Sequence, residues 1–569
     1  MAIKQLSSLL IIFNLLVFNS IYGQDGALPK NWHQLDFKSD KYHGVSSEKA
    51  LQILKNRKPK TIVVAVLDSG VEIDHEDLKD NIWTNPGEIP NNGKDDDGNG
   101  YIDDVHGWNF LGNSKGENIN SDNYEATRIY AKMRYKYDNA DPTKLTKSQK
   151  KEYNEYLKLK EDTETKRQQA QTTLAEADLT KTMISKTFEA LDKELNGKEL
   201  DDETIEKLTQ SNNEFLVAAG NIIKEVKLQV PNVKTSKEIQ DLIFEDFDNS
   251  TKDMVADYQY HFNPDFDARK LIGDQNTDEN FRYYGNNDVE GPDATHGTHV
   301  AGLIAASRKN NLGMQGVADH VKIMSVRCVP DGDEHDKDIA NAIRYAVDNG
   351  ASIINMSFGK AYSPQKHLID EAVKYAESKD VLLVHAAGNG ASDNDHNSNF
   401  PNRKFQKKKF FGKNLAKNWL EIGALSFQSA PNSIATFSNY GKKDVDLFSP
   451  GVAIYSTVTD NGYQNLQGTS MASPIAAGVA AIVRSYFPEL TAKQVISVLK
   501  SSVSPIDEKV FRPQVRDLVY MKELCNTGGV INAEKAVQLA IQTKGKKKIK
   551  STDNNINPVK VEQDKIIKP

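Results

Sequence analysis

Thr61–Gly70 reads TIVVAVLDSG. Its apolar, largely β-branched residues run continuously instead of alternating, the pattern of a strand buried on both faces beneath two layers of helix. Ser69–Gly70 follows at once as a turn signal, so Asp68 stands at the carboxyl end of that strand, where open α/β sheets place their sites. Two later stretches supply complementary chemistry. In THGTHVAGLIAA, Thr295–Ala306, the glycines and small residues suit a closely packed helix that begins beside His296. In GTSMASPIAAGVAAIVRSYF, Gly468–Phe487, an apolar helix opens at Ser470 and sets that hydroxyl beside the positive end of the helix dipole.

A serine hydroxyl is a weak nucleophile until an imidazole takes its proton, and the imidazole needs a carboxylate to fix its tautomer and stabilise its charged form. Asp68, His296 and Ser470 supply those three groups from separate elements able to converge on one cleft. Each short motif taken singly also has a plainer meaning: a turn former at a strand end, an Asn-Gly turn at Asn389–Gly390, a helix cap at Gly468–Ser470. Their joint occurrence in one order is what carries weight.

With these motifs the chain resembles the subtilases, the subtilisin-like serine peptidases, over roughly residues 55–112 and 285–540. The chain order of acid, base and nucleophile is the known order of subtilisin itself and is recognised as such. The resemblance implies a three-layer α/β fold with a mostly parallel central sheet flanked by helices, here with an inserted helical region. It implies that Asp68 orients the base, His296 acts as general base and then general acid, and Ser470 attacks the scissile carbonyl. Asn389, in VLLVHAAGNG, matches the family's oxyanion donor. Ser357, Phe358 and Gly359, in NMSFG, match the strand that pairs with substrate backbone, and Ala387 and Gly388 wall the pocket for the side chain before the cut, with Asn399 and Phe400 near its floor. Among the remaining histidines, His299 is read as structural because the family pattern puts catalysis on the first histidine, and His385 as a hydrogen-bonded core residue.

Directly after the acid motif comes NNGKDDDGNGYIDDVHGWNF, Asn91–Phe110. Asp95, Asp97 and Asn99 alternate, Gly100 permits a sharp turn, Tyr101 offers its carbonyl and Asp103 follows, matching the first nine positions of a looped calcium site. His106 replaces the glutamate expected at the twelfth place, so a helix-loop-helix calcium module is not implied. The expectation is a structural Ca2+ on Asp95, Asp97, Asn99, Tyr101 and Asp103, with a solvated acidic turn as the alternative. Asp77, in HEDL, matches a family position that helps bind calcium. No organic cofactor is expected.

Residues 1–23 read as a secretory signal peptide: Lys4, then apolar Leu9–Phe18, then Ser20 and Gly23 before Gln24. An exported product follows, secreted, periplasmic or at the cell surface, with no stable membrane insertion expected. From there to Asp68 lie only about forty residues, too few for a folded inhibitory prodomain, and SSEKALQILKN, Ser46–Asn56, belongs with the mature enzyme. Residues 24–112 and 285–542 form the two parts of the peptidase domain. Residues 113–284 form a charged, mostly helical insertion, with Ile184, Phe188, Leu191 and Leu195 at helical spacing and a second series at Ile205, Leu208, Leu216 and Ile223. It serves as a lid, a substrate selector or a docking arm for another protein, or as a solvated decoration. Residues 543–569 are read as a disordered basic tail. The two cysteines, Cys328 and Cys525, cannot form a disulfide framework, though one bridge stays open. A net charge of −7 over 569 residues gives no reason to expect nucleic acid.

The expected function is a serine endopeptidase acting on peptides or proteins through an acyl-enzyme; the alternative is a catalytically inactive subtilase-like protein that binds peptides or serves as a scaffold. The lysine-rich stretch Arg403–Asn414 borders the pocket and is either a preference for acidic substrates or a solvated loop.

Overall fold

The computed structural model describes residues 28–230, 233–273, 278–406 and 414–547. The signal-peptide reading, most of the tail reading and residues 407–413 of the lysine-rich stretch lie outside the described residues. The chain divides into two compact units, Thr127–Phe266 and a sheet-bearing unit made of Leu28–Ala126 with the chain from Asp267 onward.

The sheet-bearing unit is built on nine strands: β1 (Ile62–Asp68), β2 (Gly107–Asn109), β3 (Val321–Arg327), β4 (Ile353–Met356), β5 (Leu382–Ala386), β6 (Trp419–Leu425), β7 (Leu447–Pro450), β8 (Ser504–Pro505) and β9 (Gly529–Val530). They lie in the order β8-β9-β7-β6-β5-β4-β1-β3-β2, and only the β8–β9 pair is antiparallel. From β1 the chain first builds outward to β3 and β2, then crosses back to β4 and onward. This reversal makes the carboxyl end of β1 the crevice of the sheet.

β1 explains its own burial. Val64 and Val66 enter a core shared with Ile475 and Val479 of the Thr469–Tyr486 helix, while Ala65 and Leu67 face a core shared with Ile343 of the Asp336–Asp348 helix and Val373 of the Lys366–Ser378 helix. Alternate residues thus meet opposite helical layers, and each needs an apolar side chain. The first core also receives Ala50 and Leu54 of the Ser47–Leu54 helix and Val537 of the Ala533–Gln542 helix. Ala533 N–H donates to Val45 O at 2.7 Å, so the segment ahead of β1 is part of this domain. At the other end, Gln494 Nε2 donates to Lys544 O at 2.8 Å.

The Thr127–Phe266 unit is helical. Lys147–Leu195 forms one 49-residue helix, started by a capping box of Thr146 with Gln149 and ended at Asn196 in the left-handed conformation. Phe188, Leu191 and Leu195 share a core with Ile205, Leu208, Leu216, Ile223 and Ile239. The sequence reading placed the insertion at 113–284, but its flanks belong to the sheet-bearing unit. Trp108 Nε1 donates to Tyr284 O at 2.8 Å, and the Arg269 guanidinium holds Asp338 with two bonds of 2.6 and 3.0 Å. Charge composition hides such flanks, because buried polar anchors look like surface residues in a sequence.

Both cysteines are free and fully buried, Cys328 in the core beneath the Asp336–Asp348 helix and Cys525 in a separate core with Phe448 and Val530. No helix among the described residues is long and apolar enough to cross a membrane.

Candidate active site

Asp68 is the last residue of β1, Ser357 follows β4 and Asn389 lies three residues beyond β5, so three adjacent parallel strands deliver them to one edge of the sheet. His296 and Ser470 both sit in the first turns of helices, Thr295–Ala305 and Thr469–Tyr486.

His296 Nδ1 donates to Asp68 Oδ1 at 2.6 Å, and Ser69 N–H donates to the same oxygen at 2.8 Å. This bond leaves Nε2 of the neutral imidazole with its lone pair. The Asp68 side chain is 3% exposed and the His296 side chain 40% exposed, so a buried carboxylate holds an imidazole that is partly open to solvent. Burial lowers the imidazole pKa, but the charge and hydrogen bond of Asp68, with Asp293 behind them, outweigh it and raise the pKa above its ordinary value. The glycine of this motif is required sterically, because a Cβ at Gly297 would fall 2.0 Å from Gly70 O and 3.1 Å from Asp68 Cβ. Only glycine lets the histidine helix lie this close to the acid strand.

The Ser470 hydroxyl donates to Ser357 O at 2.9 Å and makes no hydrogen bond to His296. The same two residues meet a second time, since Ser357 Oγ donates to Ser470 O at 2.8 Å. Pro474 explains why that carbonyl is available: four residues on, it has no N–H to return to Ser470 O. Asn355 Nδ2 donates to Ser357 Oγ at 2.9 Å, and Ser473 Oγ donates to Asn355 Oδ1 at 2.8 Å, which closes a buried network between β4 and the serine helix.

Asn389 is oriented from its oxygen end. Oδ1 accepts Thr469 N–H and the Thr469 hydroxyl, both at 2.9 Å, while Thr469 Oγ1 also accepts Gly388 N–H at 3.1 Å. This turns Nδ2 toward Gly468, where an added Cβ would lie 3.4 Å from Asn389 Nδ2, 3.5 Å from Ser470 N and 3.7 Å from Ser470 Cβ. Two N–H donors therefore flank one small space beside the hydroxyl, kept open by glycine at a φ of 154°.

The strand-like Ser357–Gly359 segment continues into Lys360, which exchanges two backbone bonds of 2.8 and 2.9 Å with Phe400. Phe358 packs at the edge of the second core. Ala387 O accepts amides from Asn394, Asn399 and Asn439 at 2.9, 3.1 and 2.9 Å. Asn399 Nδ2 would lie 2.7 Å from a Cβ at Gly359 and 3.3 Å from one at Gly388, so its side chain stands between those two segments. Asn439 Oδ1 further accepts Gly390 and Ser392 N–H at 3.0 and 2.9 Å. Thr469, Asn439 and Pro474 were not singled out from the sequence, and the only sequence signal for any of them is a proline four residues after the candidate nucleophile.

His299 and His385 are held by hydrogen bonds in the interior. His299 Nε2 donates to Ile454 O and Gln464 O at 3.0 and 3.2 Å, and burial, then the charge of His296, push its pKa down to about 4. His385 Nδ1 donates to buried Glu421 at 2.9 Å.

The acidic loop groups Glu88 with Asp95 and Asp97, one oxygen of each lying within 4.8 Å of the others. Of the remaining expected ligands, Asn99 uses its amide on Asp97 at 3.2 Å and on Asp104 at 3.0 Å, while its oxygen accepts Tyr101 N–H at 2.8 Å. The Asp103 carboxylate accepts Asn92 and Gly93 N–H at 3.1 and 2.8 Å. Asp77 is fully buried, its carboxylate accepting Asn310 Nδ2, Met314 N–H and the Tyr463 hydroxyl at 2.8, 3.2 and 3.2 Å.

The chain is similar to known proteins over much of its length. A model described as "Subtilase family" matches residues 59–522. A thermophilic serine proteinase of Bacillus sp. (strain AK1) is 37% identical over 235 residues, covering 41% of this chain and 51% of that protein. Subtilisin DY of Bacillus licheniformis is 32% identical over 244 residues, covering 43% of this chain and 77% of that one. A solved protease of Pseudoalteromonas arctica PAMC 21717 aligns with a TM-score of 0.37 and 26% identity, over 45% of this chain and 79% of that one. The alignment thus spans about half the length of the Bacillus AK1 proteinase.

Proposed function

Since the chain belongs to the subtilase family, matched from residue 59 to residue 522, we propose that it is a serine endopeptidase that cleaves peptide or protein substrates through an acyl-enzyme on Ser470. The observation that carries this reading is the 2.6 Å bond from His296 Nδ1 to Asp68, which leaves Nε2 as the base of a partly exposed imidazole.

The Ser470 hydroxyl turns away from Ser357 O by rotation about its Cα–Cβ bond, a low-barrier change between staggered rotamers. His296 Nε2 takes its proton as Oγ adds to the scissile carbonyl, and Asp68 stabilises the resulting imidazolium. The carbonyl oxygen, now an oxyanion, enters the space beside Gly468 and accepts from Ser470 N–H and Asn389 Nδ2. Collapse expels the amine, which receives its proton from His296. Water then attacks the ester, His296 acting as base once more. Ser357–Gly359 runs from the end of β4, where it hydrogen-bonds Ser470, to the bridge at Lys360, and suits backbone pairing with a peptide. We also propose export of the chain, supported by Lys4 and the apolar run Leu9–Phe18.

A serine-directed phosphonate should label the purified chain and fail to label Ser470→Ala, and the labelled activity should cut a peptide library in preference to small esters. An unsubstituted chain that folds and takes up no label would overturn the proposal.

A further inference from the structure

The slot beside Ser470 is narrower than its glycines suggest. In the proposed reaction the scissile carbonyl carbon bonds to Ser470 Oγ and its oxygen sits by Gly468, so the side chain before the cut emerges between the two segments nearest the nucleophile. One is Ser357–Gly359, held to Ser470 through Ser357, and the other is Ala387–Gly388, which runs directly into Asn389. Gly359 and Gly388 each omit a Cβ from these walls, yet the room they vacate is taken. An added Cβ at Gly359 would meet Asn399 Nδ2 at 2.7 Å, Oδ1 at 2.8 Å and Cγ at 3.1 Å, and one at Gly388 would meet Asn439 Nδ2 at 2.6 Å and Asn399 Nδ2 at 3.3 Å.

Asn399 is fixed to both walls. Its Nδ2 donates to Ala386 O at 3.3 Å and to Ala387 O at 3.1 Å. The next residue, Phe400, exchanges its two backbone bonds with Lys360, which follows Gly359 on the opposite wall, and Asn402 Nδ2 donates to Asn399 O at 3.0 Å. A side chain that displaced the amide would break both bonds to the Ala386–Ala387 backbone. Asn399 also lines a polar crevice of about 290 Å3 with Ser398, Asn402, Arg403 and Glu421, a crevice that neither Gly359 nor Gly388 borders. The amide is a partition between the slot and that crevice.

We propose that Asn399 closes the slot and restricts cleavage to bonds that follow a small residue, alanine or serine. This rests on the peptidase reading and names its substrate class. A methyl or hydroxymethyl group needs little depth, whereas a leucine or phenylalanine side chain needs the volume that the amide fills. Close-packed interiors yield little to such overlap, so the partition selects by exclusion.

Matched peptides that differ only in the residue before the cut, alanine, serine, leucine or phenylalanine, test it by steady-state kinetics on the purified full chain. The alanine and serine peptides should exceed the leucine and phenylalanine peptides in kcat/KM by roughly tenfold or more. Asn399→Gly joins the slot to the crevice and should raise the phenylalanine-to-alanine ratio by about tenfold or more, a change that mere loosening of the fold would not produce. Should Asn399→Gly fail to fold, matched peptidyl phosphonates decide on the unsubstituted chain: the alanine reagent should label Ser470 faster than the phenylalanine reagent. Equal cleavage or labelling with alanine and phenylalanine, or an unchanged ratio in folded Asn399→Gly, overturns the role of Asn399 and leaves the peptidase reading standing. A folded chain that cuts no peptide and takes up no phosphonate overturns that reading, and this inference with it.

Discussion

Asn389 is held by its oxygen with its nitrogen toward Gly468, and its proposed part as oxyanion donor makes a sharp test. Asn389→Leu keeps the bulk and removes the donor. The expected outcome is a fall of about a hundred- to a thousandfold in kcat with KM little changed, a scale set by the equivalent loss in subtilisin. Steady-state kinetics on a peptide substrate check it, and an equal rise in KM would place Asn389 in ground-state binding instead. His296 gives a second prediction. Its proton must be absent for it to act as base, and Asp68 raises its pKa, so the acidic limb of kcat/KM should have its midpoint above pH 6.5, the ordinary value. In Asp68→Asn the charge is lost while burial persists, so the limb should move to lower pH as the rate falls. Asp68, His296, Ser470 and Asn389 were legible because each sits in a short motif with its own chemical signature. Thr469 and Asn439 were not, since nothing local in the sequence marks which backbone and amide groups their side chains hold.

At the scale of elements, the proline in the serine helix forces a swap of partners. A missing amide at position 474 leaves Ser470 O to the Ser357 hydroxyl, so the strand end at β4 and the helix start are joined by a bond that neither element forms alone. Ser357→Ala should therefore destabilise the fold by about 1–3 kcal/mol, because the part-buried carbonyl is left without its donor. Urea unfolding in the Ser470→Ala background measures this, and a loss under ~0.5 kcal/mol, the low end for a hydrogen bond, would mean that water replaces the hydroxyl. The double burial of β1 was readable from its unbroken apolar run, and the fold class followed from it. β8 and β9, of two residues each, were not readable, because so short a pair carries no periodicity and exists through its neighbours in the sheet.

For the whole molecule, each unit has its own hydrophobic core, and both flanks of the helical unit, Asn109–Ala126 and Asp267–Asn286, are anchored within the sheet-bearing unit. Asn113 Nδ2 reaches Leu271 O at 3.0 Å, and Asn109 and Asn286 exchange backbone bonds of 2.9 and 3.1 Å. Replacing Thr127–Phe266 by a short glycine-serine linker should leave the sheet-bearing unit folded, with stability changed by less than about 2 kcal/mol, since loop length enters closure entropy only logarithmically. Cooperative urea unfolding together with phosphonate uptake at Ser470 would test it, and an insoluble or uncooperative product would show the helical unit to be required. The composition of the insertion announced its helices, but the bounds of the compact helical unit within it were hidden by the polar residues that fasten its flanks.

The two thiols, sealed in different cores and raised in pKa by burial, make the chain its own unfolding clock. A maleimide cannot reach either sulfur while the sheet stands. Its slow uptake under native conditions would register how often a molecule opens, one core at a time or both together, without any added probe.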